Sequence, residues 1–224
     1  MALNASKIKS TSSNKVEQEV IEPGVYPARI VQILDLGLQA QRPYQGKDKP
    51  PANEIMLTYE LVDVFMKDKD GKELEDKPRW ISETLPLYSI HQEKAKSTQR
   101  YLAADPLSVH GGDFTQLVGT PVNVTITHNQ NGDRLYVNVA GIAAMRAKDV
   151  AKCPELANPA KVFDLDNPDA EIFSSMPEWV QEKIKKNLNY KGSKLEAALG
   201  GKPAPAEPKA APEAAQENND APWD

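Results

Sequence analysis

Several things that would mark a familiar chemistry are missing from this chain. It has a single cysteine, Cys153, which excludes an internal disulfide and a cysteine-rich zinc site. Its histidines, His91, His110 and His128, are scattered and form no HExxH pair. No phosphate-cradling GxxxxGK[ST] or GxGxxG occurs, and no GxSxG elbow. No apolar run is long enough to span a bilayer, and the opening "MALNASKIKSTSSNKVEQEV" lacks the apolar stretch of a signal peptide. The expectation is an intracellular protein that is not an enzyme, with no cofactor, no metal and no membrane partner.

A strong charge of either sign is also lacking once the chain is divided. The formal charge is −5 over 224 residues. Residues 201–224 hold Lys202 and Lys209 against Glu207, Glu213, Glu217, Asp220 and Asp224, so most of the acid excess sits there. The body is close to neutral, and any nucleic-acid site on it must be a local patch.

What is present is β texture. Residues 1–22 are polar and read as a flexible arm. "GVYPARIVQILDLGL" follows a Pro-Gly turn signal and reads as a strand, then "QAQRPYQGKDKPPAN" as a long loop. "EIMLTYELVDVF" alternates Ile55, Leu57, Tyr59 and Leu61 against Met56, Thr58 and Glu60, the pattern of a half-buried strand. The charged "MKDKDGKELEDKP" reads as a connection and "RWISETLPL" as a third strand. "SIHQEKAKSTQRYLAA" reads as a helix with Ser89 as N-cap and Gln92 at capping-box spacing. "PVNVTITH" and "RLYVNVAGI" flank Asn131-Gly132, a hairpin signal. This pairing turns Val122, Val124 and Ile126 inward with Leu135, Val137 and Val139, and Tyr136 outward.

Three strands, a helix and a hairpin are the order of a five-stranded OB-fold-like barrel, here over 23–146. Residues 147–200 read as an irregular segment followed by a C-terminal helix. That helix is capped by Ser175 and carries one stripe of Trp179, Val180, Ile184 and Leu188. Residues 201–224, rich in Pro, Ala and Glu, read as a disordered acidic tail.

The constellation that stands out combines rings with cations, the means by which proteins hold single strands. The first loop supplies Arg42, Tyr44, Lys47 and Lys49, the third strand opens on Arg79 and Trp80, and the hairpin adds Arg134 and Tyr136. Trp80 is either a groove ring or a core ring, and Tyr59 shares its face with aliphatic residues and reads as core. Asp164, Asp166 and Asp169 lack the glycine and spacing of a calcium loop and read as a solvated turn.

The chain closes on "DAPWD", where Asp220, Pro222, Trp223 and Asp224 put an aromatic among carboxylates at the end of an extended linker. A barrel, a linker and an acidic, aromatic tip together resemble single-stranded DNA-binding proteins. This tip departs from the bacterial Pro-Phe ending by using Trp223 and adding Asp224. The stretches "EPGVYPARIVQILDLGLQAQRPYQGKDKPPANEIMLTYELVD" and "LVGTPVNVTITHNQNGDRLYVNVAGI" resemble a group of phage-encoded proteins of that kind over about residues 20–146. The resemblance implies that the barrel coats single-stranded DNA in the host cytoplasm during replication or recombination. It also implies that the tail recruits phage or host replication proteins. Two rivals remain: a non-enzymatic phage interaction or virion protein with the barrel as scaffold, and a nuclease using Asp35, Glu54 and Glu83.

Overall fold

The computed structural model describes residues 19–43 and 45–201. The aliphatic and β-branched runs form long strands: β1 (Gly24–Gln39), β2 (Ala52–Lys67), β3 (Glu73–Pro86), β4 (Pro121–Asn131) and β5 (Arg134–Ala144). They pair antiparallel in the order β3-β2-β1-β4-β5. A short β6 (Lys161–Phe163) runs parallel to Gln32–Leu34 of β1, on the edge that β4 leaves free beyond Arg29. The fold is mainly β, with α1 (Lys96–Ala104) inserted between β3 and β4. Four short helices follow the hairpin: α2 (Ala147–Val150), α3 (Ala170–Ser174), α4 (Glu178–Lys185) and α5 (Lys194–Ala198).

Both faces of β1 and β2 are buried, so the half-buried strand expected from the alternation is covered on its second side as well. The inner face holds Ile30, Ile33, Ile55, Leu57, Tyr59 and Leu61 with Tyr101 of α1 and Val122, Val124 and Ile126 of β4. The outer face puts Leu34, Leu36 and Met56 against Phe163, Phe173, Met176, Val180, Ile184 and Leu195. Two bulges in β1, at Val31 and Leu36, let one strand serve both cores. Each inserts a residue, bends the strand and re-aims the side chains that follow. At Gly37 the backbone turns left-handed (φ +74°), and a Cβ there would lie 2.7 Å from Cγ of Asn187. Only glycine fits.

The expected closure of a barrel is not shown. β3 and β5 stand at opposite ends of the strand order and exchange no ladder pairing. A side chain bridges them instead. Arg100 of α1, 4% exposed, forms a two-pronged pair with Glu83 of β3 (Nε–Oε1 2.7 Å, Nη2–Oε2 3.0 Å). Its Nη2 also donates to the carbonyl of Ala140 in β5 at 3.3 Å, and Tyr59 Oη donates to Glu83 Oε1 at 2.8 Å. Burial, then the negative charge of Glu83, pushes the Tyr59 hydroxyl well above its ordinary pKa.

Several boundaries differ from the sequence expectation. β3 starts six residues before Arg79, because Leu74 and Glu73 extend the ladder with Met66 and Lys67 beyond the core. A polar strand there shows no alternation to read. The turn shrinks to Asp68–Lys72, where Asp68 Oδ1 accepts from the N–H groups of Asp70 and Lys72. α1 begins at Lys96 and not at Ser89: Ser97 and Thr98 are buried and bond to the backbone of Tyr88 and Ser89. The single helix expected near 175–190 is α4 alone. Ser175 closes α3, Pro177 precedes α4, and the buried stripe is Val180 and Ile184, with Trp179 and Leu188 58% and 55% exposed. The hairpin turns at Asn131-Gly132 as expected, with Gly132 at φ +61°. Its tip overshoots the core, so Leu135 is exposed where an inward position was expected.

Candidate nucleic-acid interface

Trp80 pairs with Glu60 across β2 and β3. Its neighbour Ile81 enters the inner core, so the indole points outward. The ring is 39% exposed, and its Nε1 donates to Glu60 Oε2 at 3.1 Å. Neither a core ring nor a bare one, it is anchored by its polar edge. On β5, Val137 and Val139 pack inward, leaving Tyr136 outward and 45% exposed.

The register relates these two rings. Antiparallel pairing through β2, β1 and β4 makes β3 and β5 run in the same direction. Trp80 stands three residues before Glu83, and Tyr136 three before Val139, whose carbonyl lies 3.5 Å from Arg100 Nη2. Both rings therefore project outward, on the two strands that Arg100 bridges.

The cations are spread more widely. Arg134 is exposed at the hairpin tip, two residues from Tyr136 and on the same face of β5. Arg79 alternates away from Trp80: its guanidinium donates to the carbonyl of Glu19. There the segment leading into β1 lies against the end of the sheet, with Ile21 buried and its carbonyl 2.7 Å from His128 Nε2. Arg42, Lys47 and Lys49 are exposed in the β1–β2 loop, at the opposite end of β1 from the hairpin tip. Tyr44 lies outside the described residues, as do Asp220, Pro222, Trp223 and Asp224. The structure thus puts Arg134 beside Tyr136 on β5 and Trp80 on β3, all outward, and leaves the loop cations at the other end of β1.

The outer face beside Trp80 carries two buried charges that the sequence reading passed over. Arg29 and Glu60 sit opposite each other in the β1–β2 ladder, 8% and 2% exposed. Both grip the segment 153–158. Arg29 donates to the carbonyls of Pro154 (2.6 Å) and Cys153 (3.1 Å) and to Glu155 Oε1 (3.0 Å). Glu60 accepts from the Ala157 N–H and from Asn158 Nδ2, each at 2.7 Å. A lone charge inside each of the apolar runs "ARIVQIL" and "LTYELV" was the available signal.

The carboxylates weighed for metal chemistry have separate structural partners. Asp169 caps α3, and Asp164 Oδ1 accepts from the Asp166 N–H. Among the described residues no group of His, Cys, Asp or Glu is arranged to hold a metal. Glu83 pairs with Arg100, and Glu54 Oε2 meets Lys183 Nζ at 2.6 Å. Burial raises the pKa of Asp35, against the N–H bonds of Gly37 and Leu165 that lower it. A cleft of about 800 Å3 lies over Ile33, Ile55 and Phe163, with Asp35, Asp113 and Lys194 on its walls. No described helix is long and apolar enough to cross a membrane. No family model matches the chain, and no curated protein is similar to it.

Proposed function

We propose that this chain binds single-stranded DNA without strong sequence preference, along the outward side of β3 and β5. The observation that carries the reading is that Trp80 and Tyr136, both outward and partly exposed, stand on two strands that run the same way and that Arg100 bridges. Two such outward rings offer stacking surfaces to unpaired bases, which every base can use. Arg134 supplies a phosphate contact beside Tyr136. The strand order, and the place of α1 between β3 and β4, support an OB-like barrel whose last seam is bridged by Arg100 in place of a ladder. The resemblance of residues 20–146 to phage-encoded proteins supports a role in phage replication or recombination in the host cytoplasm. The acidic, Trp223-tipped end supports recruitment of replication proteins.

Titration of labelled oligo-dT and of duplex, with and without magnesium, tests the reading. Oligo-dT binds in preference to duplex and is not cleaved. Trp80→Ala and Tyr136→Ala each cost ~1–3 kcal/mol of affinity. With few cations beside the rings, the salt dependence is shallow, each neutralised phosphate adding about 0.7 to the slope. Ending the chain at Gly201 tightens DNA binding slightly at low salt and abolishes recruitment. Equal affinity for duplex, or magnesium-dependent cleavage, would overturn the proposal.

A further inference from the structure

Glu60 is an unusual residue to find beneath a ring that meets nucleic acid. It is a nearly inaccessible carboxylate, 2% exposed, whose hydrogen bonds come from three N–H donors: the Trp80 indole, the Ala157 backbone and the Asn158 amide. Hydrogen bonds to an ionised acceptor are roughly twice as strong as neutral ones. The indole has a single donor, so turning the ring over would leave its N–H without this partner. The other two donors belong to the segment 153–158, which Arg29 holds by its carbonyls from the neighbouring strand. That segment also shuts the carboxylate off from solvent, and so from any phosphate passing over Trp80.

We propose that Glu60 is a positioning residue: it fixes the indole by its N–H edge, so that the rest of the ring is held outward for a base, and the segment 153–158 backs that grip. The proposal rests on the single-strand reading of Trp80 given above. It differs from a purely structural role in acting through one bond, that to the indole N–H.

The test removes that bond from either side. In the full chain with Trp179→Phe and Trp223→Phe, Trp80 is the sole tryptophan, and its anisotropy and emission report the grip directly. Glu60→Gln places an amide N–H where N–H donors converge, and Asn158→Ala deletes one donor while leaving the carboxylate and the ring intact. Both variants shift Trp80 emission to the red and lower its anisotropy. Trp80→Phe keeps a stacking ring without an N–H. Glu60→Gln therefore weakens oligo-dT binding about fivefold or more in the chain that keeps Trp80. Combined with Trp80→Phe it weakens binding less than about twofold, a coupling of the size seen between residues in contact. Equal losses in both backgrounds overturn the proposal, because they mark a general effect on the fold. Should Glu60→Gln fail to fold, unchanged emission and affinity in Asn158→Ala overturn it likewise. If none of the chains binds oligo-dT, the single-strand reading falls. Emission then still decides whether Glu60 holds the ring: a shift keeps the positioning and no shift removes it.

Discussion

The two faces of β1 and β2 bury comparable side chains by different means. On the inner face, long strands lie side by side, and each contributes an alternating row to one core. On the outer face, short helices of five to eight residues each deliver one or two side chains: Phe173 from α3, Val180 and Ile184 from α4, Leu195 from α5. The inner core is held by a ladder as well as by burial. Beyond the three-residue β6 ladder, the outer covering depends on burial and on polar grips such as Lys183–Glu54 and Arg29 with the Cys153 and Pro154 carbonyls. Elements this short are marginal helices alone, so their stability comes from the face on which they sit.

The strongest way to break this comparison is to remove the covering. Ending the chain at Met145 bares Leu34, Leu36 and Met56, each worth roughly 1.5–3 kcal/mol when buried. Aggregation, or loss of a cooperative melting transition, is expected, whereas ending at Gly201 leaves both cores and the melting temperature intact. A truncated chain that melts like the whole one would show that the outer core is dispensable.

The next effect concerns the seam. Arg100→Met leaves Glu83, its side chain only 11% exposed, without its cation, and breaking such a pair when buried typically costs about 3–5 kcal/mol. Replacing both residues by apolar ones of similar volume should recover much of that loss, read by denaturant unfolding. Within α4, Ile184→Ala is expected to cost ~2–5 kcal/mol and Trp179→Ala less than about 0.5, although the sequence puts both on one stripe. Similar losses for the two would mean that Trp179 is covered in solution.

The smallest effect is a dependence on pH. The Asp35 carboxyl has a folded-state pKa raised by burial. The folded chain therefore binds its proton more tightly than the unfolded one, and stability falls as pH rises through the window just above the unfolded value. Asp35→Asn, which keeps a carbonyl for the Gly37 and Leu165 N–H groups, should flatten that decline in thermal melts taken just above the ordinary carboxylate range. A decline as steep as in the parent would assign it to other groups.

The inner face was legible in the sequence because its rule is local. Ile55, Leu57, Tyr59 and Leu61 alternate, Val122, Val124 and Ile126 do the same, and Asn131-Gly132 dictates a turn. The outer face was not, because its elements are too short to show a period and its contacts join residues more than a hundred positions apart. Val162 of β6 pairs with Ile33, yet nothing in "AKVFDLD" announces a strand of three residues. The candidate interface divides in the same way. Outward Tyr136 followed from alternation. The Glu60 bond to Trp80 and the turning of Arg79 toward Glu19 depend on where distant segments settle.

The bulges in β1 have a consequence for how the chain can change in length. Because this strand serves the inner core through Ile30 and Ile33 and the outer through Leu34 and Leu36, neither side tolerates an exchange of faces. Deleting Ile33 or Leu34 would carry Gln32 toward an apolar interior, since a shift of one position reverses a side chain's face, whereas losing Val31 would only remove a bulge. The loop at 40–51 is under no such constraint, and doubling its length would cost only about 0.6 kcal/mol. Insertions and deletions in descendants of this gene should collect in that loop and spare the strand that precedes it.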